Sequence, residues 1–177
     1  MRLFIAIKCS SDFENTLVQA QNELRQHRIT GNYTNCRNLH LTLAFIGEFP
    51  QPRTVLQTMQ KVTFHPFELA LNGQLGTFGD LYWTGLKKEP QLLTLANHLR
   101  QALADASIPY DKKPFRPHIT LLRKARSEDE AVPDLRTIRL PRTSMTVDKI
   151  SLMHSHRENG RLIYTELGFV PAVREGV

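Results

Sequence analysis

An α+β fold of two related lobes is predicted by three features of the sequence. Strand-like and helix-like stretches alternate along it, and the order strand, helix, strand occurs twice. The second occurrence superposes on the first at a shift of 78 residues, with Phe4 falling on Tyr82, Leu17 on Leu95 and His40 on His118. Such self-similarity points to an internal duplication. It predicts two lobes about an approximate two-fold axis, each with an antiparallel-type sheet facing a central cleft and with helices outside. No linker rich in Gly or Ser separates the halves, so residues 1–177 read as one domain of two pseudo-symmetric lobes.

Each element has a local reason. Arg2 to Lys8 is an apolar run with the length of a buried strand, and Ser11-Asp12-Phe13-Glu14 has capping-box spacing for a helix that follows. Phe13, Leu17, Ala20 and Leu24 recur at helical intervals and form one apolar stripe. Gly31-Asn32 reads as the end of that region before a strand from Leu39 to Ile46, which Gly47, Pro50 and Pro52 close. A short helix from Arg53 to Val62 and an alternating strand through Phe67, Leu69 and Leu71 complete the first half.

The second half repeats the plan with a strand from Asp80 to Leu86 and a helix opened by Pro90. Leu92, Leu95, Ala96, Leu99 and Leu103 face one side of that helix. Three prolines, Pro109, Pro114 and Pro117, precede a second motif strand that ends near Arg123. A charged loop through Ser127-Glu128-Asp129-Glu130 comes next. Two strands, Met145 to Met153 and Arg161 to Leu167, then pair around Asn159-Gly160.

With 41% hydrophobic and 23% charged residues, the composition is that of a globular chain and excludes disorder or a coiled coil. The net charge of +6 is spread along the length and favours an anionic partner. Cys9 and Cys36 have neither Cys-x-x-Cys spacing nor zinc-like partners, which argues against a disulfide scaffold or metal knuckle. The apolar run Leu3 to Ile7 is too short for a signal-peptide core or a membrane span, so a cytoplasmic protein with no membrane partner is expected.

Chemistry concentrates in His40-Leu41-Thr42-Leu43 and His118-Ile119-Thr120-Leu121. Residues two apart on a strand share a face, so each copy offers an imidazole and a hydroxyl to one point in space. Histidine gives or takes a proton near neutral pH, and a facing pair supplies one general base and one general acid. In-line displacement at phosphorus needs both, on opposite sides of the phosphorus. Thr42, Thr120 and Arg123 would hold the non-bridging oxygens, Arg123 as a cationic fork. The scheme requires neither metal nor cofactor.

These residues resemble the 2H phosphoesterases, defined by two His-x-Thr/Ser-x tetrapeptides. Phe4-Ile5-Ala6-Ile7 and the flanks Asn38 to Gly47 and Pro117 to Arg123 resemble more closely the bacterial RNA 2′,3′-cyclic phosphodiesterases, also called 2′-5′ RNA ligases. The resemblance runs from Arg2 to about Phe169. It implies a bilobal α+β fold with a V-shaped cleft and hydrolysis of a terminal RNA 2′,3′-cyclic phosphate to a 2′-phosphomonoester without metal. It further implies His40 as proton donor, His118 as acceptor, and 2′-5′ joining or cleavage in tRNA fragments as a related activity. The implied partners are RNA ends carrying the cyclic phosphate, with no obligate protein partner. Two rivals stand beside this reading: a non-catalytic RNA-binding module, and a phosphodiesterase acting on small cyclic nucleotides or 2′-5′ oligonucleotides.

Other features have blander readings. His154 and His156 share a strand face without a carboxylate or cysteine cluster to complete a metal site, and read as solvent-exposed. Tyr82 and Trp83 are adjacent and face opposite sides, one toward the core and the other toward the cleft, where it can stack on a base; Phe4 shares their ambiguity. Gly73, Gly76 and Gly79 match no nucleotide-binding pattern and read as turns.

Overall fold

β1 (Arg2–Lys8) is buried along five successive residues, Leu3 to Ile7. A strand with no polar face must be covered on both sides. Leu3, Ile5 and Ile7 enter the main core, while Phe4, Ala6 and Met153 form a smaller cluster with Phe45 and Tyr164 on the opposite side. The computed structural model describes residues 1–129 and 133–174.

α1 (Ser11–Gln26) is capped by Ser10, one residue before the expected capping box, with its Oγ accepting from the Phe13 N–H at 3.2 Å. Phe13, Leu17, Ala20 and Leu24 are fully buried, as their spacing predicts, and each contributes roughly 1.5–3 kcal/mol where a large side chain is withdrawn from water. β2 (Ile29–Tyr33) is a strand that the sequence reading missed, because Gly31-Asn32 reads as a breaker. Gly31 instead sits inside the strand at a register shift, with φ +146°; a Cβ there would lie 2.8 Å from the carbonyl oxygens of Arg123 and Lys124.

β3 (His40–Glu48), α2 (Pro52–Met59), β4 (Phe67–Phe78), β5 (Leu81–Leu86) and α3 (Pro90–Asp105) follow in order. Gly73 and Gly76 lie within β4, and only Gly79 makes a turn, at the β4–β5 hairpin. β6 (His118–Ser127) runs past its expected end because β2 pairs with it. The charged loop begins only at Glu128, and Glu130 lies outside the described residues. The expected strand from Met145 to Met153 is two strands, β7 (Ser144–Val147) and β8 (Lys149–Glu158), and β9 (Arg161–Pro171) ends the described fold.

The strands form one hydrogen-bonded path, β7-β4-β5-β6-β3-β1-β8-β9, with β2 attached to β6. Reading outward from the centre, β3-β1-β8-β9 mirrors β6-β5-β4-β7, so each lobe carries its motif strand at the seam. The seam itself is one antiparallel pair, Leu41 with Ile119, and the sheet curls there. The lobes do not correspond to halves of the chain. α1 leaves the β1 lobe to pack on β2, β6 and β7, whereas α3 leaves the β5 lobe to pack on β3 and α2. At Asp148 the chain crosses back, since β7 pairs with β4 and β8 with β1.

Candidate active site

The Leu41–Ile119 pair decides where the motifs point. Both side chains are buried, at 1% and 0% exposure, on the core face. Alternation along each strand then turns His40, Thr42, His118 and Thr120 to the opposite face, and all four are half-buried there. Because the strands are antiparallel, continuing this register sets His40 across from Thr120 and Thr42 across from His118.

A bulge repeats in both motif strands. Ala44 pairs with Ile5 and Thr42 with Ala6, which leaves Leu43 as an extra residue in β3. Leu122 pairs with Tyr82 and Thr120 with Trp83, which leaves Leu121 as the extra residue in β6. Without a bulge, residues five apart lie on opposite faces of a strand. With it, Arg123 joins His118 on the cleft side, and Phe45 joins His40. The pairing also corrects the alignment of the first strands. Ala6 and Trp83 are equivalent, so Phe4 corresponds to Leu81 instead of Tyr82. Tyr82 is accordingly core, while Phe4 and Trp83 face the cleft.

Each bulge is held from a helix. Gln21 of α1 donates through Nε2 to the Leu121 carbonyl at 3.0 Å and to the Thr34 carbonyl at 2.8 Å. Arg100 of α3 donates through Nε to the Leu43 carbonyl at 3.4 Å. At Leu121 the Gln21 amide thus joins the Thr34 N–H, which donates to the same carbonyl at 2.9 Å, so a helix side chain ties each bulge to the core.

The histidines are fixed alike at one ring nitrogen and differently at the other. His40 Nδ1 donates to the Asn38 carbonyl and His118 Nδ1 to the Arg116 carbonyl, each at 2.6 Å. A carbonyl only accepts, so Nδ1 carries the hydrogen in both rings, and Nε2 is the atom free for proton transfer. His40 Nε2 lies 2.9 Å from the Thr42 hydroxyl, which donates to it when the ring is neutral. His118 Nε2 has no such hydroxyl partner among the described residues and opens to the cleft.

Aromatic rings enclose both. His40 packs against Phe4 at 4.9 Å and Tyr164 at 5.2 Å between ring centroids. His118 packs against Phe78 at 5.2 Å and Trp83 at 6.3 Å. Burial pushes the His40 imidazole below the usual histidine range; the Asn38 carbonyl opposes this, and the positive charges of Arg123 and His118 add to the fall. Burial raises the Tyr164 phenol against the pull of Arg123 and Arg2, so it remains a hydrogen-bond donor at neutral pH.

Two cavities meet at Thr42 and Phe45. One, of about 470 Å³, is walled by His40, Arg2, Arg123, Arg157 and Tyr164. The other, of about 540 Å³, contains His118 with Phe78, Lys113 and Arg116. Of the residues singled out in the sequence, His40, Thr42 and Arg123 share the first cavity, and Thr42 and His118 share the second. Thr120 lies on the same face and borders neither. Arg2, Phe45, Phe78 and Tyr164 went unnoticed in the sequence, since only strand pairing across distant segments brings them here.

Among the described residues no three His, Cys, Asp or Glu side chains are grouped to hold a metal. His154 and His156 are half-buried, not solvent-exposed as read, and stack on each other at 4.8 Å, with His156 Nε2 bonded to the Thr165 hydroxyl at 2.7 Å. Cys9 and Cys36 are free thiols, and burial pushes Cys9 up to about 12. No helix among the described residues is long and apolar enough to cross a membrane.

The profile of the 2′-5′ RNA ligase superfamily matches residues 13–159. An RNA 2′,3′-cyclic phosphodiesterase of Geobacillus stearothermophilus is 30% identical over 165 residues, 88% of this chain and 52% of its own length, so this chain spans about half of that relative. The RNA 2′,3′-cyclic phosphodiesterase of Escherichia coli is 36% identical over 137 residues, 73% of either chain. The crystal structure of E. coli LigT complexed with 3′-AMP superposes with a TM-score of 0.83 at 29% identity, covering 98% of both chains. With its paired His-x-Thr strands and this profile match, the chain belongs to the 2′-5′ RNA ligase superfamily of 2H phosphoesterases.

Proposed function

We propose that this chain hydrolyses the terminal 2′,3′-cyclic phosphate of RNA to a 2′-phosphomonoester, with His40 and His118 as the catalytic acid and base. The observation that carries this reading is the antiparallel passage of the two motifs at the Leu41–Ile119 pair, which turns both imidazoles toward one face. The names of the relatives at 30% and 36% identity support the substrate class.

In this mechanism the cyclic phosphate sits between the histidines. His118 Nε2 takes a proton from water as its oxygen bonds to phosphorus, and His40 gives a proton to the departing 3′ oxygen. The phosphate remains on the 2′ oxygen. His118 suits the base because no hydroxyl among the described residues occupies its Nε2. His40 suits the acid once an anion enters, because the phosphate's negative charge opposes the burial that chiefly depresses its proton affinity and the smaller contributions of the Arg123 and His118 charges. Arg123, Thr42 and Thr120 hold the non-bridging oxygens; Thr42 must turn its hydroxyl from His40 Nε2 to do so. Acid and base each contribute about 10²–10⁴ in rate. No step uses a metal or cofactor.

Residues 1–177 act as one domain of two pseudo-symmetric lobes, in the cytoplasm and without an obligate protein partner. The RNA ends include tRNA fragments, and 2′-5′ joining is the same displacement with a ribose hydroxyl in place of water. The test is incubation with an oligonucleotide ending in a 2′,3′-cyclic phosphate, followed by location of the phosphate. A 2′-phosphate is expected, with turnover lost in H40A and in H118A and retained in EDTA. A 3′-phosphate, or full activity in both variants, refutes the mechanism; loss in EDTA refutes its metal independence.

A further inference from the structure

Beyond the Arg2–Ser155 pair the β8–β9 hairpin leaves the sheet. Residues 156–163 pair only with each other, around a two-residue turn at Asn159 and Gly160 with φ +50° and +77°. Residues 157–162 are all exposed, and nothing in this arm joins either apolar core. A two-stranded ribbon is marginally stable on its own, so the arm needs a tie to the body. It nevertheless forms a wall of the His40 cavity, through His156, Arg157 and Leu162. Among the described residues one hydrogen bond joins it to a residue outside the hairpin: Asn38 Nδ2 donates to the Leu162 carbonyl at 2.9 Å, across 124 positions of sequence. Asn38 thus has two partners, since its own carbonyl accepts from His40 Nδ1 at 2.6 Å. Its place is fixed by the 3-10 turn Cys36–Asn38, where its N–H donates to the Asn35 carbonyl at 2.8 Å. The other motif has no equivalent: Arg116 supplies the carbonyl to His118, and its side chain makes no hydrogen bond among the described residues.

We propose that residues 156–163 are a flap over the His40 cavity and that Asn38 is its latch, a positioning residue through which closure of the flap sets the burial of the catalytic acid. The inference rests on the reading above, in which His40 is that acid. With the latch made, the arm walls the cavity and the ring stays desolvated. With the latch broken, the arm swings out, water reaches the ring and the Arg157 cation withdraws. Both changes favour the charged imidazole. Arg2 and Lys8 of β1, Arg123 and His118 of β6 and Tyr164 of β9 also neighbour His40, and pairing within the sheet keeps them in place. Opening therefore admits the RNA end and lets His40 take up its proton, and closing buries the loaded ring against the phosphate.

The test begins with N38A, which removes the amide and keeps the carbonyl that holds Nδ1. Trypsin cuts after Arg157 and Arg161 once the arm frays, and an arm off the body frays first. Native-state cleavage at these two sites is expected to run about fivefold faster in N38A than in the unmutated protein, the change in open population that one hydrogen bond carries. N38D, whose carboxylate cannot donate to a carbonyl, shows the same acceleration. In the ligand-free protein, nitrogen-15 histidine NMR finds the His40 titration midpoint raised in N38A and that of His118 unmoved. On the folded fraction, kcat/KM for an oligonucleotide ending in a 2′,3′-cyclic phosphate falls about fivefold. Unchanged cleavage in both variants overturns the latch, as does equal acceleration at arginines throughout the chain, which signals global unfolding. Faster cleavage with an unmoved His40 midpoint overturns the coupling to the acid. Cleavage and titration are read without substrate, so absence of hydrolysis in the unmutated protein refutes the catalytic reading alone, and the two failures are distinguishable.

Discussion

Leu41 of β3 stands opposite Ile119 of β6, and through that one pair the two His-x-Thr motifs run past each other in opposite directions. The pair is apolar and buried, so the seam is anchored from the core while the cleft side stays polar. Its geometry makes the copies near-equivalent in position, yet their surroundings differ. His40 is flanked by Phe4, Tyr164 and the Thr42 hydroxyl, whereas His118 Nε2 is open to the cleft.

That inequality sets the pH behaviour. His40 holds its proton less tightly in the folded than in the unfolded chain, so its contribution to stability is present above about pH 6.5 and is lost as pH falls through the lowered value. As the acid it must be protonated. The alkaline limb of kcat/KM, which reports the free enzyme, therefore lies below pH 6.5, and the limb of kcat lies higher because the bound phosphate's negative charge opposes the burial that chiefly lowers His40 and the smaller Arg123 charge. R123A raises the free-enzyme limb. Paired pH–rate profiles check this, and coincident limbs for kcat and kcat/KM count against it.

Arg123 reaches the cleft only because Leu121 is an extra residue in β6. R123A lowers kcat/KM about 10²–10³-fold, with R123K recovering part of it, because a fork matches two phosphate oxygens better than a point charge. Steady-state kinetics on a cyclic-phosphate oligonucleotide decide it. A change under twofold removes Arg123 from the site.

Gln21 is remote from the cleft but bonds the bulge carbonyl of Leu121. Q21L removes the Gln21 bonds to the Leu121 and Thr34 carbonyls while Leu121 keeps the Thr34 N–H, and costs about 0.5–1.5 kcal/mol of stability per bond lost. It also lowers kcat beyond the loss of folded protein, since the bulge that aims Arg123 loosens. Denaturant melts with kinetics on the folded fraction separate these effects. Unchanged kcat in a destabilised variant assigns Gln21 to stability alone.

The indole of Trp83 lies over Gly76, where a Cβ would come within 2.3–2.7 Å of three ring atoms. G76A thus displaces the wall of rings beside His118 and is expected to cost about 1–3 kcal/mol by overpacking. Trp83 is the sole tryptophan, so its emission reports the change directly. An unshifted spectrum with a native melting temperature contradicts the crowding.

Local pattern carried much of this. Helical spacing marked Phe13 to Leu24 and Leu92 to Leu103 as core faces, and the repeated His-x-Thr strands marked the cleft, because side-chain direction along an element follows from its period alone. Gly31 and Asp148 were opaque for the opposite reason. Whether a glycine ends a strand or lets two backbones meet, and whether a run such as Met145 to Met153 serves one lobe or two, depends on partners far away in the chain. Tyr164 and Phe78 reach the histidines by the same non-local pairing. Arg123, read as a phosphate ligand from its type and nearness, faces the cleft through the extra residue at Leu121, whose carbonyl is held by a helix that crosses from the other lobe. Period tells a side chain which face of its own strand it takes, while register, bulges and lobe-crossing helices tell that face what it looks upon.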